Sequence, residues 1–144
     1  MHWLGTVTLV GIIFLAVLTW LFFRTRRQDM ISEILAKRAP QSRLATRADY
    51  VQGNERMPVA LTLTKDAIYY QNPDLEASFD LSAIDEVEYD DELATGKNVE
   101  EGCGALRLRA HGRAIEFVLV SPDCQKWRAA LPPHRTGEPA INAV

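Results

Sequence analysis

The residue types best suited to ligand binding are three arginines, Arg107, Arg109 and Arg113, on either side of a His-Gly dipeptide. Gly at the second position is typical of a tight hairpin turn, so the arginines are expected on two paired strands. A guanidinium binds phosphate or carboxylate through parallel hydrogen bonds, which makes the cluster a candidate anion or headgroup site. The alternative is a solvated, ion-paired face, because pairing around the turn places Arg107 opposite Glu116.

An acidic run at residues 85–92 has the composition of a cation site. It holds six carboxylates in eight residues, and carboxylate oxygens are ligands that Ca²⁺ prefers. The run lacks the Asp-x-Asp-x-Asp-Gly spacing with a distal Glu that a calcium loop needs. We therefore predict a solvated acidic segment and no metal site.

The residues that would support catalysis are scattered along the chain. His2, His111 and His134 have no Ser, Cys or Asp partner at a local spacing that favours nucleophilic catalysis. Cys103 and Cys124 lack the companions of a metal site, and a cytoplasmic domain would keep both thiols reduced. No glycine pattern for nucleotide binding is present. The sequence predicts no catalytic residue, no cofactor and no enzymatic activity.

Hydrophobic residues with a period of two predict the strands that carry these side chains. In residues 59–70, pairing around a Lys-Asp turn sets Leu63 opposite Ile68 and Leu61 opposite Tyr70. All four side chains then share one buried face, and this phase predicts the register of the hairpin.

A second hairpin is predicted from residues 106–110 and 113–120, joined by the His-Gly turn. Its core-facing pairs are expected to be Leu108 with Ile115 and Leu106 with Phe117. Between the hairpins, a three-residue spacing of apolar side chains predicts a turn or bulge at residues 82–86. The stretch 93–104 has no periodicity and is predicted to be a mobile loop.

The last predicted element is a short helix after the second hairpin. Ser121 is a suitable N-cap and is followed by proline at the first helical position. The apolar face of this helix consists of Cys124, Trp127 and Leu131. We predict that Trp127 is the lid of the core.

The N-terminal segment predicts a membrane anchor. Residues 3–23 contain no charged side chain, and a helix of that length spans about 31 Å, close to the hydrocarbon thickness of a bilayer. A cleaved signal peptide is the alternative, but it needs basic residues before the apolar core and a small-residue cleavage site after it. Here Arg24, Arg26 and Arg27 follow the core, so an uncleaved anchor is favoured.

The flanks of the anchor predict its orientation. Trp3 and Trp20 lie near its two ends, where aromatic side chains favour the membrane interface. The arginines after residue 23 bias that side toward the cytoplasm. We expect a single-pass protein of the plasma (inner) membrane with its N-terminus outside and its bulk in the cytoplasm.

Charge is distributed unevenly after the anchor. Residues 24–47 carry a net charge of +5, and residues 48–144 carry −8. The basic segment could bind anionic lipid, or its charges could only set topology and solubility. Within it, apolar residues from Met30 to Leu35 predict a short helix that dips into headgroups, packs on a partner helix or packs on its own domain. Residues 39–47 are predicted to be a linker.

These patterns divide the chain into four predicted parts. They are an anchor with its basic stop at residues 1–27, a juxtamembrane helix and linker at 28–47, a β domain at 48–132, and a flexible tail at 133–144. The tail has the composition of a frayed terminus.

The order of elements resembles the pleckstrin-homology-like (PH-like) fold, especially bacterial PH-like domains tethered by transmembrane helices. The resemblance covers about residues 49–131 and rests on residues 61–70, 81–87, 106–117 and Trp127. It implies a mainly β fold: an antiparallel sandwich or open barrel closed by one C-terminal helix. It also implies a binding or scaffolding role. The basic pocket of relatives that hold inositol phosphates has no counterpart, since the first turn offers one Lys.

The sequence therefore predicts a membrane-tethered, non-enzymatic domain that binds another protein as an accessory or scaffold of a membrane complex. The alternative is a binder of lipid headgroups or a small ligand at the cytoplasmic leaflet. No nucleic acid partner is expected. A bare sheet edge or an apolar patch would favour the protein partner, and a basic concavity would favour the lipid.

Overall fold

The computed structural model describes residues 2–136, and the chain forms two compact units, residues 1–30 and 31–144. A continuous helix, α1 (His2–Arg38), begins in the first unit and ends in the second. Its most apolar window has a mean hydropathy of 2.4 and none of it is buried. By length and composition this helix could span a membrane.

Three threonine hydroxyls of α1 are satisfied within the helix. The hydroxyls of Thr8, Thr19 and Thr25 each donate to the backbone carbonyl four residues earlier in α1. Such bonds remove free hydroxyl donors from the helix surface. This pattern suits a helix in a nonpolar environment, where an unsatisfied polar group is costly.

The second unit is built on one eight-stranded antiparallel sheet with the order β4-β3-β2-β1-β7-β6-β5-β8. A second helix, α2 (Ser121–Ala130), follows β7. The long apolar helix, the antiparallel sheet and the C-terminal helix confirm the predicted fold class. The strands are β1 (Leu44–Gln52), β2 (Glu55–Leu63), β3 (Ala67–Asn72), β4 (Leu75–Asp80), β5 (Ile84–Asp90), β6 (Cys103–Ala110), β7 (Arg113–Val120) and β8 (His134–Arg135).

Both predicted hairpin registers are confirmed. Leu63 pairs with Ile68 and Leu61 with Tyr70 between β2 and β3. The pairs between β6 and β7 are also as predicted, and they include Leu108 with Ile115, Leu106 with Phe117 and Arg107 with Glu116. Register followed from sequence because a slip of one residue would turn every apolar side chain of a strand toward solvent.

The chain turns where the apolar spacing predicted it. A short 3-10 helix (Leu81–Ala83) joins β4 to β5, and the register of β5 shifts between Ile84 and Glu86. At the tip of the second hairpin, His111 has φ of 51° and Gly112 has φ of 74°. Two successive positive φ angles are those of a tight turn that matches the twist of the strands.

The core lies between the sheet and α2. Trp127, predicted to be its lid, is 0% exposed, and its indole Nε1 donates to Thr46 Oγ1 at 2.7 Å. The buried apolar side chains around it are Ala48, Val59, Leu61, Leu63, Ile68, Tyr70, Ile84, Val87, Leu106, Leu108, Phe117, Leu119 and Leu131. Thr46 is a buried polar residue on β1 because it accepts the indole hydrogen bond.

Strand β1 begins within the segment that was predicted to be a linker. The predicted linker 39–47 is wrong in its second half, because β1 starts at Leu44. The core-facing residues of its first half include Thr46 and Ala48, which are too polar or too small to give a strong period-two pattern. Ser121 was also predicted as an N-cap, but it is the first residue of α2; Val120 occupies the cap position, with no side-chain cap bond.

The segment between β5 and β6 is anchored to the sheet, in contrast to the predicted mobile loop. Leu93 is 5% exposed and packs with Val51, Ala105 and Val118, in a small apolar cluster on the face opposite the main core. The last two residues of the predicted loop belong to β6. A single buried leucine has no periodicity, which is why the sequence did not reveal this anchor.

The chain after α2 adds a further strand. His134 and Arg135 form β8 on the outer side of β5, and the Thr136 N–H donates to the Asp85 carbonyl at 2.7 Å. The first residues of the predicted tail are therefore ordered against the sheet. The rest of that tail, residues 137–144, lies outside the described residues.

The end of α1 packs on the outer face of the sheet in the second unit. Ile31 is 1% exposed, and Ile34, Leu35 and Arg38 are half-buried on the same helical face. Ser32 accepts from Arg47 of β1, and Arg38 donates to Gln71 of β3 and Glu76 of β4. Of the three predicted uses of this apolar stripe, packing on its own domain is the one found.

Candidate functional site

Strand β4 is the outermost strand on one side of the sheet. Its inner neighbour is β3, and no strand among residues 2–136 pairs with its other side. An edge strand presents unpaired N–H and C=O groups and is a ready template for another chain. We call residues 75–80 on this side the β4 edge.

The hydrogen-bond phase shows which residues face outward at the β4 edge. Leu81 N–H donates to the Asp66 carbonyl at 2.9 Å, one pair beyond the Ala67–Asp80 pair. Hydrogen-bonded pairs alternate in an antiparallel ladder, so Phe79 and Ala77 also bond to β3. The intervening residues 76, 78 and 80 direct their backbone N–H and C=O groups away from β3.

The other hairpin bond agrees with this phase. Thr64 N–H donates to the Ala67 carbonyl at 2.9 Å, so Ala67 bonds toward β2. Its neighbour Ile68 then bonds toward β4, where its partner is Phe79. Two independent bonds therefore assign the same outward groups.

The inner face of the β4 edge is a half-covered apolar stripe. Leu75, Ala77 and Phe79 are partly buried and pack against the core. The Phe79 ring stacks on Tyr70 with 5.7 Å between centroids. These side chains lie where the sheet ends, so a strand added beside β4 would cover more of their surface.

The outer face of the β4 edge is polar. Glu76, Ser78 and Asp80 are exposed. Glu76 Oε1 lies 2.9 Å from the Arg38 guanidinium and its side chain is still 63% exposed. Arg38 also lies 4.5 Å from the centroid of the Tyr69 ring, so the helix end lies beside this edge.

The opposite end of the sheet is partly covered by the chain itself. Arg135 of β8 donates twice to Glu86 Oε1, at 2.7 and 3.0 Å. Among the described residues, β4 is thus the long edge strand whose outer side pairs with no other strand. Outside α1, Val120 is the large hydrophobic residue that stands most exposed, at 56%, so the described part of the domain has no broad apolar patch.

The predicted arginine cluster is engaged in ion pairs. Arg107 contacts Glu88 at 2.8 Å and Glu116 at 3.2 Å, and its side chain is 17% exposed. Arg109 lies 3.5 Å from Glu86. Arg113 is exposed at the start of β7, opposite Ala110. The hairpin brings the three residues together, but two of them are neutralised by neighbouring glutamates.

Glu116 links this cluster to the segment that follows β5. It is 8% exposed and accepts from the Ala94 N–H at 3.0 and 3.2 Å. Arg107 also donates to the Glu92 carbonyl at 3.3 Å. The cluster therefore holds residues 92–94 on the sheet. The sequence predicted the Arg107–Glu116 pair but offered no signal for the backbone contacts.

The cysteines lie at a small surface cleft of about 240 Å³, whose lining includes Cys103, Cys124 and Arg128. Both cysteines are free. Burial raises the pKa of the Cys124 thiol, which disfavours the thiolate nucleophile. Within residues 2–136, no group of three His, Cys, Asp or Glu side chains could hold a metal ion.

The predicted anchor residues lie on α1. Trp3 and Trp20 are 79% and 59% exposed. The Arg24 guanidinium lies 5.3 Å from the centroid of the Trp20 ring, and Arg26 lies 6.0 Å from the Phe22 ring. Arg27 follows on the same helix. Arginine and aromatic residues at the end of an apolar helix suit a membrane interface.

Comparison of the chain with protein-family models and with curated proteins finds no match.

Proposed function

We propose that this protein is a membrane-tethered, non-enzymatic PH-like domain that binds another protein by adding a partner strand to the β4 edge. The observation that carries the proposal is the set of outward backbone groups of residues 76, 78 and 80, beside a half-covered apolar stripe. In strand addition, main-chain hydrogen bonds supply affinity and alternate side chains supply specificity.

The PH-like assignment is supported by strand order. Strands β1 to β4 follow one another as an antiparallel meander, β5 to β7 form another, and β1 joins the two through β7. The single helix after β7 places Trp127 in the core. A helix that follows the last hairpin and buries a tryptophan supports the PH-like part of the proposal.

The proposed topology places the N-terminus outside and the domain in the cytoplasm. Its support is the basic segment that follows the apolar part of α1, including Arg24 and Arg26. A partner would then be a cytoplasmic protein or the cytoplasmic part of a membrane complex.

The lipid or small-ligand alternative has less support. Arg107 and Arg109 are paired with glutamates, and the apolar stripe of residues 31–38 packs on the domain. Two of the three arginines are thus ion-paired and the apolar stripe lies against the sheet, which weighs against headgroup binding.

A proline placed at an outward position tests strand addition. Ser78→Pro removes one outward N–H, while the bonds of Ala77 and Phe79 to β3 remain. Ser78→Ala is the matched control because it keeps the N–H. A photo-crosslinking residue is placed at exposed Asp66, beside the end of β4, in the full chain in native membranes.

The expected result is a discrete protein adduct with Ser78→Ala that is lost with Ser78→Pro. Both variants should show the same thermal unfolding midpoint. An adduct of equal yield in the two variants, or crosslinks to lipid alone, would contradict strand addition.

A further inference from the structure

We infer that the segment bound at the β4 edge is basic, with the pattern basic-apolar-x-apolar-basic over five residues. This inference rests on the proposed function and names the chemistry of its partner. The occupant is an extended segment of another protein.

The charge around the edge sets the sign of the partner. Glu76 and Asp80 flank Ser78 on the outer face of β4, and Asp66 and Asp74 lie in the adjoining turns. Arg38 contacts Glu76, whose side chain remains 63% exposed. Strand β4 itself carries two carboxylates and no basic side chain. Like charges placed directly opposite across strands are destabilising.

The spacing within β4 sets the pattern. Side chains directly opposite each other on neighbouring strands lie on the same face and about 4.5–5.5 Å apart at Cβ. Partner residues opposite Glu76 and Asp80 are therefore four positions apart, and both face the carboxylates. The two residues between them that oppose Ala77 and Phe79 lie on the inner face, where apolar side chains extend the core.

The outer-face pairs give specificity more than affinity. Each is exposed to solvent, so it should change binding by about 1.5- to 5-fold. The apolar face and the backbone hydrogen bonds should supply the rest of the affinity. The contribution of the charged pairs should weaken as the salt concentration increases.

The test uses the full chain in neutral detergent and two capped, labelled peptides. One contains Lys-Val-Thr-Val-Lys between threonines, and the other contains Glu-Val-Thr-Val-Glu in the same frame. Binding is measured by fluorescence anisotropy, and its site by hydrogen exchange of the amides of residues 76, 78 and 80.

We expect the lysine peptide to bind at least about fivefold more tightly than the glutamate peptide, since two attractive pairs are replaced by two repulsive ones. It should slow exchange of the three outward amides. Ser78→Pro should weaken it by about tenfold through the lost ladder bond, whereas Ser78→Ala should not. The pair Glu76→Gln and Asp80→Asn should reduce the difference between the peptides.

Equal affinity of the two peptides, or lysine-peptide binding that Ser78→Pro leaves unchanged, would overturn the inference. If the peptides bind equally while Ser78→Pro still removes the native crosslink, the basic pattern is wrong and strand addition stands. If Ser78→Pro leaves the native crosslink intact, the proposed function itself fails.

Discussion

Replacing Trp127 tests how the closing helix is held to the sheet. The side chain is 0% exposed, and its Nε1–H donates to Thr46 Oγ1 at 2.7 Å. Truncating a buried tryptophan to alanine costs about 3–5 kcal/mol through lost burial and the resulting cavity. That is a large share of an ordinary domain stability of about 5–15 kcal/mol. Trp127→Ala should therefore leave the domain marginally stable or unfolded.

The hydrogen bond can be separated from the packing. Thr46→Val keeps the volume of the side chain but leaves a buried indole N–H without its acceptor, a change that costs about 1–3 kcal/mol. Trp127→Phe removes the donor and keeps much of the apolar contact. In the double variant neither polar partner remains, so its loss of stability should be smaller than the sum of the losses in the two single variants.

Urea unfolding of a fragment of residues 28–144, followed by far-UV circular dichroism, gives these energies. Trp127 is the sole tryptophan of that fragment, so its fluorescence provides a second probe for Thr46→Val. The reasoning is refuted if Trp127→Ala leaves the unfolding midpoint unchanged while it abolishes partner binding. Trp127 would then be an interface residue, and α2 would not close the core.

Four further results are expected. A reporter fused to the C-terminus should be active only in the cytoplasm; activity confined to an external, oxidising compartment would reverse the topology. A fragment of residues 28–144 should be more stable in urea than one of residues 44–144 by about 2 kcal/mol or more, since the shorter one lacks the apolar helix stripe. Equal unfolding midpoints would show that the stripe does not stabilise the domain. Gly104→Ala should destabilise the domain by about 1–3 kcal/mol, because a Cβ there would lie 2.5 Å from Cys124 Sγ. Adding Cys124→Ala should restore the lost stability. A loss that persists in the double variant would show that this clash is not the cause. Burial raises the pKa of Asp49 despite nearby Arg56, so the folded state favours the protonated carboxyl and the protein loses stability as the carboxyl ionises at higher pH. Asp49→Asn should therefore raise the unfolding midpoint at pH 7 and leave it nearly unchanged at pH 3. A gain of equal size at both pH values would exclude titration as the cause.

Local patterns predicted much of the sheet. The registers of both hairpins followed from alternate apolar residues, because only one register buries Leu61, Leu63, Leu106 and Leu108 together. The irregular connection before β5 was signalled by a break in that alternation. The first half of β1 was missed because Thr46 is buried for a hydrogen bond made by a residue far along the chain.

The candidate site could not be predicted in the same way. Whether a strand is central or at an edge depends on which other strands lie beside it, and the sequence of β4 carries no mark of that position. For the arginine cluster, the sequence suggested a site that the ion pairs of the folded domain oppose. Its composition suggested an anion site, yet the fold brings Glu86 and Glu88 against Arg109 and Arg107.

By itself, the sequence determined the apolar helix, the mainly antiparallel β architecture and the placement of Trp127 on the apolar face of the last helix. These depend on hydrophobic period and length, which are local properties of the chain. Only the tertiary structure decided that residues 31–38 pack on the sheet, that Glu116 holds residues 92–94, and that β4 is left uncovered. Those features are contacts between residues distant in sequence, and no local pattern specifies which distant residues will meet.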